Sequence, residues 1–208
     1  FMTLLVDAFD ENILSNVDIV LFALPGVGDV GKNAIELLNE ANNATLAARF
    51  IHPGLTPLAR LDEDGLLAPP HLIAHRIETQ NGTTILTITG RGQPSESYQQ
   101  HDFTTELLKH LSGEGMDEIV VLAGLMSTPE VKEAFAVATS SSHRVTLEER
   151  GVDVRRDQPS GGAIGMSALM ASLAPLFGLK SVCAMATTVG ASGDVHASIR
   201  LLEFISKG

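Results

Sequence analysis

The chain has 208 residues, 44% of them hydrophobic and 19% charged, and its mean hydropathy is +0.18. That balance excludes a disordered chain or a fibrous repeat, and one α/β domain over 1–208 is the simplest reading. Net charge is -11 with pI ≈ 5.0 and no cluster of Lys and Arg, so nucleic acid finds no electrostatic footprint here.

Asp18 to Leu24 contains the apolar run Ile19-Val20-Leu21-Phe22-Ala23-Leu24, which reads as a strand buried on both faces. Pro25-Gly26-Val27-Gly28 breaks it. Val30, Ala34, Leu37, Leu38 and Ala41 then recur at helical spacing, and Leu46 to Phe50 reads as a second strand. This β-loop-α-β opening favours a parallel pair. Asp62-Glu63-Asp64-Gly65 reads as a turn between short apolar segments. Leu72 to Glu78 and Thr83 to Thr89 both alternate around Asn81-Gly82, which predicts a hairpin with a type I′ turn. The sheet is therefore mixed.

Ser97-x-x-Gln100 resembles a capping box ahead of a helix carrying Phe103, Leu107, Leu108 and Leu111, which Gly113 and Gly115 end. Ile119 to Leu122 predicts another buried strand, and Ala136 to Thr139 a short one. Ile164 to Phe177 is helical and rich in small residues, with Pro175 as its stop. Ser181 to Ala186 reads as the last core strand, and Val195, Ile199, Leu202 and Ile205 as a terminal helix with helices on both faces of the sheet.

Gly26-Val27-Gly28-Asp29-Val30-Gly31 is a G-x-G-x-x-G at a strand-to-helix turn. The acidic residue that a dinucleotide fold wants about 20 residues on is missing, because the second strand ends in Arg49-Phe50-Ile51-His52. Read as Gly26, four residues, Gly31, Lys32, the same loop approaches a phosphate-binding P-loop. Asn33 then stands where a hydroxyl should meet magnesium, and Asp29 adds repulsion. A tight turn with close packing is the leading reading of these glycines. Gly26, Gly28, Gly31 and Lys32 stay candidates for an anion or nucleotide. So do Gly162 and Gly165 of the similar Gly161-Gly162-Ala163-Ile164-Gly165 turn.

Gly165-Met166-Ser167-Ala168-Leu169 lacks the last glycine of a nucleophile elbow, and the seven histidines show no metal-site spacing. Asp194 reads as the cap of the last helix. Cys183, the single cysteine, sits in an apolar run and reads as a core thiol. No catalytic residue, metal or cofactor is therefore expected. No uncharged stretch reaches the ~18 residues of a membrane span, and no export signal is visible, so the expected location is the cytoplasm. Phe1 reads as an addition before a natural start at Met2.

Leu24-Pro25-Gly26-Val27-Gly28-Asp29-Val30-Gly31-Lys32 after an apolar strand resembles the opening motif of the proteasome assembly chaperone 2 family. The resemblance continues through Gly92-Gln93-Pro94-Ser95, Leu122-Ala123-Gly124, Val137-Ala138-Thr139, Gly162-Ala163-Ile164-Gly165 and Asp194-Val195-His196-Ala197. It implies a three-layer α/β/α fold with a mixed, mostly parallel sheet, similar to the phosphorylase/hydrolase-like fold. It also implies a non-enzymatic homo-oligomer, a trimer favoured, acting through protein surfaces and assisting proteasome assembly. The competing reading is a nucleotide- or phosphate-binding enzyme, since some relatives carry an ATP-grasp label. Relatives dock on proteasome α-subunits, several through a C-terminal hydrophobic-Tyr-x tail. This sequence ends Phe204-Ile205-Ser206-Lys207-Gly208, and its only tyrosine is Tyr98. Ala163 to Ala174 is apolar nearly all round, which makes Met166, Met170 and Leu173 candidates for a subunit interface.

Overall fold

The computed structural model describes residues 3–207, so Phe1 and Met2 lie outside the described residues. The chain begins with β1 (Leu5–Ala8), β2 (Ile19–Phe22), α1 (Val30–Ala41) and β3 (Thr45–Ile51). A small ribbon of β4 (Arg60–Leu61) and β5 (Leu67–Ala68) follows, then β6 (Leu72–Glu78), β7 (Thr84–Gly90) and α2 (Ser97–Gly113). The remainder is β8 (Glu118–Met126), β9 (Ala134–Ala138), α3 (Ser141–Glu149), α4 (Met166–Leu173), β10 (Lys180–Thr188) and α5 (Val195–Ser206).

Eight strands form one mixed sheet in the order β1-β3-β6-β7-β2-β8-β10-β9. β2 pairs parallel with β7 and with β8, and β8 pairs parallel with β10. The other four ladders are antiparallel, so the sheet is not mostly parallel as expected. The opening unit departs from expectation in the same way. β3 runs in the direction of β2 but does not pair with it, because the β6–β7 hairpin inserts between them.

Alternation along β2 divides the core. Val20, Phe22 and Leu24 join Phe103, Leu107 and Leu108 of α2 and Met166 and Met170 of α4 on one face. Leu21 and Ala23 join Val30, Ala34 and Ile35 of α1 and Ala197 and Leu201 of α5 on the other. A strand buried on both faces needs apolar residues at every position, which is why it reads as a continuous run.

Several local expectations change. The hairpin turn has Gly82 at φ +86, while Asn81 is not left-handed, and the Gly82 N–H donates to the Thr79 carbonyl. That is a type I turn with a glycine bulge rather than type I′. In α2 the cap is Glu96, not Ser97, and Gln100 donates to the Pro94 carbonyl, so the capping box does not form. α4 stops at Leu173 and tightens into a 3₁₀ turn, Ala174–Phe177, with Pro175 in its first positions. β1 and α3 escaped the periodicity: four residues are too few, and α3 has no buried residue to write a stripe.

Candidate functional site

Open α/β sheets place ligands at the carboxyl ends of their parallel strands, which is where the glycine-rich loop lies. After β2 the chain makes a 3₁₀ turn, Val27–Asp29, in which Gly28 (φ 63) and Asp29 (φ 49) are both left-handed. Gly28 cannot be replaced cheaply, because a Cβ there would stand 2.7 Å from Thr188 Oγ1. A Cβ on Gly31 would meet the Leu122 carbonyl oxygen at 2.2 Å, and one on Gly124 would meet that of Val27 at 2.4 Å. The loop, the first turn of α1 and the β8 backbone therefore sit in direct contact.

Protein groups occupy several polar positions of this loop. The Gly26 N–H donates to Asp29 Oδ1 at 3.3 Å, and the Ser192 hydroxyl donates to Asp29 Oδ2 at 3.3 Å. The Asp194 N–H donates to the Gly28 carbonyl at 3.2 Å. Thr188 Oγ1 donates to Asp194 Oδ2 and accepts from the Gly190 N–H, while Asp194 Oδ1 accepts from the Ala197 N–H and caps α5 as expected. The Thr188 hydroxyl, then the Ala197 N–H and the charges of Arg200 and His196, hold the Asp194 carboxyl below the usual aspartate range. Lys32 pairs with Glu36 at 3.5 Å, one turn along α1. Two carboxylates beside the loop make it hostile to a phosphate.

The second glycine turn lies with α4 on the opposite face of the sheet. Gly162 (φ 75) and Gly165 (φ 95) are left-handed, and the Met166 N–H donates to Gln93 Oε1 at 2.7 Å. Gln93, from the loop after β7, thus takes the place an anion would hold. Sequence reasoning assigned it no role, and nothing short of the fold brings residues 93 and 166 together. Met166 and Met170 are fully buried within the chain, which withdraws them as interface candidates, while Leu173 is half-buried. Amphipathicity locates an apolar helix but not the side its own domain covers. The exposed apolar groups of this segment are instead Ile164 and Leu176, 98% and 78% accessible.

A third polar cluster lies where β3 ends. Asp102 Oδ2 accepts from Thr3 Oγ1 at 2.6 Å and is 2.7 Å from His52 Nε2, while His52 Nδ1 accepts the Gly54 N–H at 2.9 Å. His52 is buried and stacked on Phe103 at 4.7 Å. With both ring nitrogens engaged the imidazole has no free lone pair for base chemistry, and the trio ties the end of β3 to α2. Burial pushes the Cys183 thiol up to about 12, so it carries no thiolate at neutral pH. Among the described residues no three His, Cys, Asp or Glu side chains gather to hold a metal ion, and no helix is long and apolar enough to cross a membrane.

No curated protein matches this chain. Among solved structures it is similar to the archaeal proteasome activator PbaB of Pyrococcus furiosus, with TM-score 0.84 and 20% identity over 100% of this chain and 89% of that one. PbaA of the same organism, an archaeal homolog of proteasome-assembly chaperone, aligns with TM-score 0.77 and 21% identity, covering 98% of this chain and 84% of that one. A proteasome-assembly chaperone homologue of Mycobacterium tuberculosis gives 0.70 and 19%, over 90% and 84% of the two chains. Residues 20–208 match the PAC2 family as a whole, and the chain belongs to that family.

Proposed function

We propose that the chain is an oligomeric, non-enzymatic assembly factor that acts through its surfaces on proteasome α-subunits in the cytoplasm. The observation that carries this reading is its similarity over 100% of its length to an archaeal proteasome activator, within the PAC2 family. The Asp29 and Asp194 carboxylates at the glycine loop and the fully bonded His52 support surface action over chemistry. The three-layer arrangement, similar to the phosphorylase/hydrolase-like fold, carries no activity by itself.

A homo-trimer joined through the outer side of α4 is the proposed assembly. Ile164 just before α4 and Leu176 just after it are exposed, Leu169 and Leu173 are half-buried, and a groove of about 250 Å³ separates α4 from Ser97, Gln100 and His101 at the start of α2. An obligate interface of this kind buries roughly 2,000 Å² or more. Light scattering coupled to size exclusion should give three times 22.0 kDa for the wild type. Ile164→Asp combined with Leu176→Asp should give 22.0 kDa with an unchanged circular dichroism spectrum. A wild-type mass of 22.0 kDa refutes the oligomer. Purified α-subunits from the same cell should co-elute with the wild type; α-subunits eluting alone at micromolar concentration refute the partner.

A further inference from the structure

The β4–β5 ribbon is two residues deep on each strand, yet Leu61, Leu66 and Leu67 are 69%, 64% and 72% exposed. An isolated two-stranded ribbon with its leucines in water is not stable on its own. What holds it is Asp62. Oδ1 accepts from the Asp64 and Leu66 N–H groups at 3.0 and 2.9 Å, closing the turn. Oδ2 accepts from Arg49 of β3 at 3.2 Å, fastening the turn to the sheet. The same guanidinium lies 3.8 Å from Asp7 of β1 and 5.1 Å from the centre of the half-exposed Phe9 ring. The ribbon and the end of β1 therefore form one surface, with leucines displayed by an anchored turn rather than by a slack loop. Exposed apolar side chains held in place in this way mark an interaction site.

We propose that the β4–β5 hairpin is a docking surface for a partner segment presenting leucine-like side chains flanked by lysine or arginine. The charges choose the occupant. On the hairpin and β1 the exposed acids are Asp7, Glu63 and Asp64, against one exposed base, Arg60, while Arg49 is spent on Asp62 and Asp7. A second copy would set like charge against like across this surface, and an anionic lipid surface would be repelled as well. A basic, leucine-bearing segment meets both the apolar centre and the acidic rim. This goes beyond the proposed role, since it concerns the other end of the sheet from α4 and needs neither a trimer nor a proteasome.

The test is an amide-resonance titration of the full chain with a short amphipathic peptide of leucine and lysine only. The resonances of residues 58–68 should shift, and Leu61→Gln with Leu67→Gln should weaken binding at least about tenfold, as expected for losing two buried leucines. Val145→Gln, at an exposed position of α3 beside the opposite edge of the sheet, should bind as the wild type does. Both leucines are exposed, so the double variant should melt as the wild type does; if it does not fold, Leu66→Gln carries the same comparison. Equal binding by a lysine-only peptide, or by a leucine–glutamate peptide, overturns the proposal. So do unshifted hairpin resonances, and so does self-association of the peptide-free chain that the double variant abolishes, which would make the occupant a second copy.

Discussion

Gly31→Ala separates the packing reading of the glycine loop from the ligand reading. The backbone at Gly31 is helical, so alanine ought to improve α1 by up to roughly 1 kcal/mol. Against that, the new Cβ would lie 2.2 Å from the Leu122 carbonyl oxygen, 2.7 Å from its carbonyl carbon and 3.0 Å from Ala23 Cβ. All three belong to the two central strands, β2's extension and β8, and none is a flexible side-chain end. Relief requires α1 to retreat by about 1 Å from a close-packed interior, and overpacking of this kind costs ~1–3 kcal/mol. The net loss should be about 1 kcal/mol, and about 2 kcal/mol at the upper end of that strain. Gly113→Ala is the control, because that site ends α2 with open space around it and should be neutral or slightly stabilising. Urea unfolding followed by circular dichroism measures both, with an unchanged slope and a lower midpoint expected for Gly31→Ala. A Gly31→Ala protein as stable as the wild type would refute the claim that close packing explains this glycine.

Gln93→Ala leaves the Met166 N–H at the start of α4 without its acceptor and should cost about 1 kcal/mol, with faster hydrogen exchange at Met166. Asp194 has a lowered folded-state pKa, so its stabilisation is complete above the unfolded value near 3.8 and is lost as pH falls through the folded value. Asp194→Asn keeps a cap acceptor without the charge, so its unfolding midpoint should fall less steeply than the wild type's between about pH 5 and about pH 2. An equally steep fall assigns the acid sensitivity elsewhere, Asp102 being the next candidate since its hydrogen bonds from Thr3 and His52 lower its pKa too. Calorimetric titration with ATP and magnesium should show nothing tighter than about millimolar. Micromolar binding abolished by Lys32→Ala would restore the nucleotide reading.

Much of the fold was legible along the chain. The apolar run from Ile19, the helix carrying Val30, Ala34 and Leu38, the 72–89 hairpin and the terminal helix capped by Asp194 each have a local cause. Periodicity, turn chemistry and capping act within a few residues, so a sequence states them directly. Strand neighbours obey no such rule. β3 follows β2 through α1, but the β6–β7 hairpin stands between them, a pairing decided by which apolar faces could be covered together. The candidate site divides in the same way. The sequence placed the glycines at a strand-to-helix turn and identified Asp29 as an obstacle to phosphate. Only the tertiary structure brought Leu122 and Thr188 against those glycines, and Gln93 against Gly165, because the groups that crowd these glycines lie far away along the chain. Met166 and Met170 belong to the core because α4 buries the side that its own sheet and α2 cover, while Ile164 lies in the turn before α4 and stays at the surface.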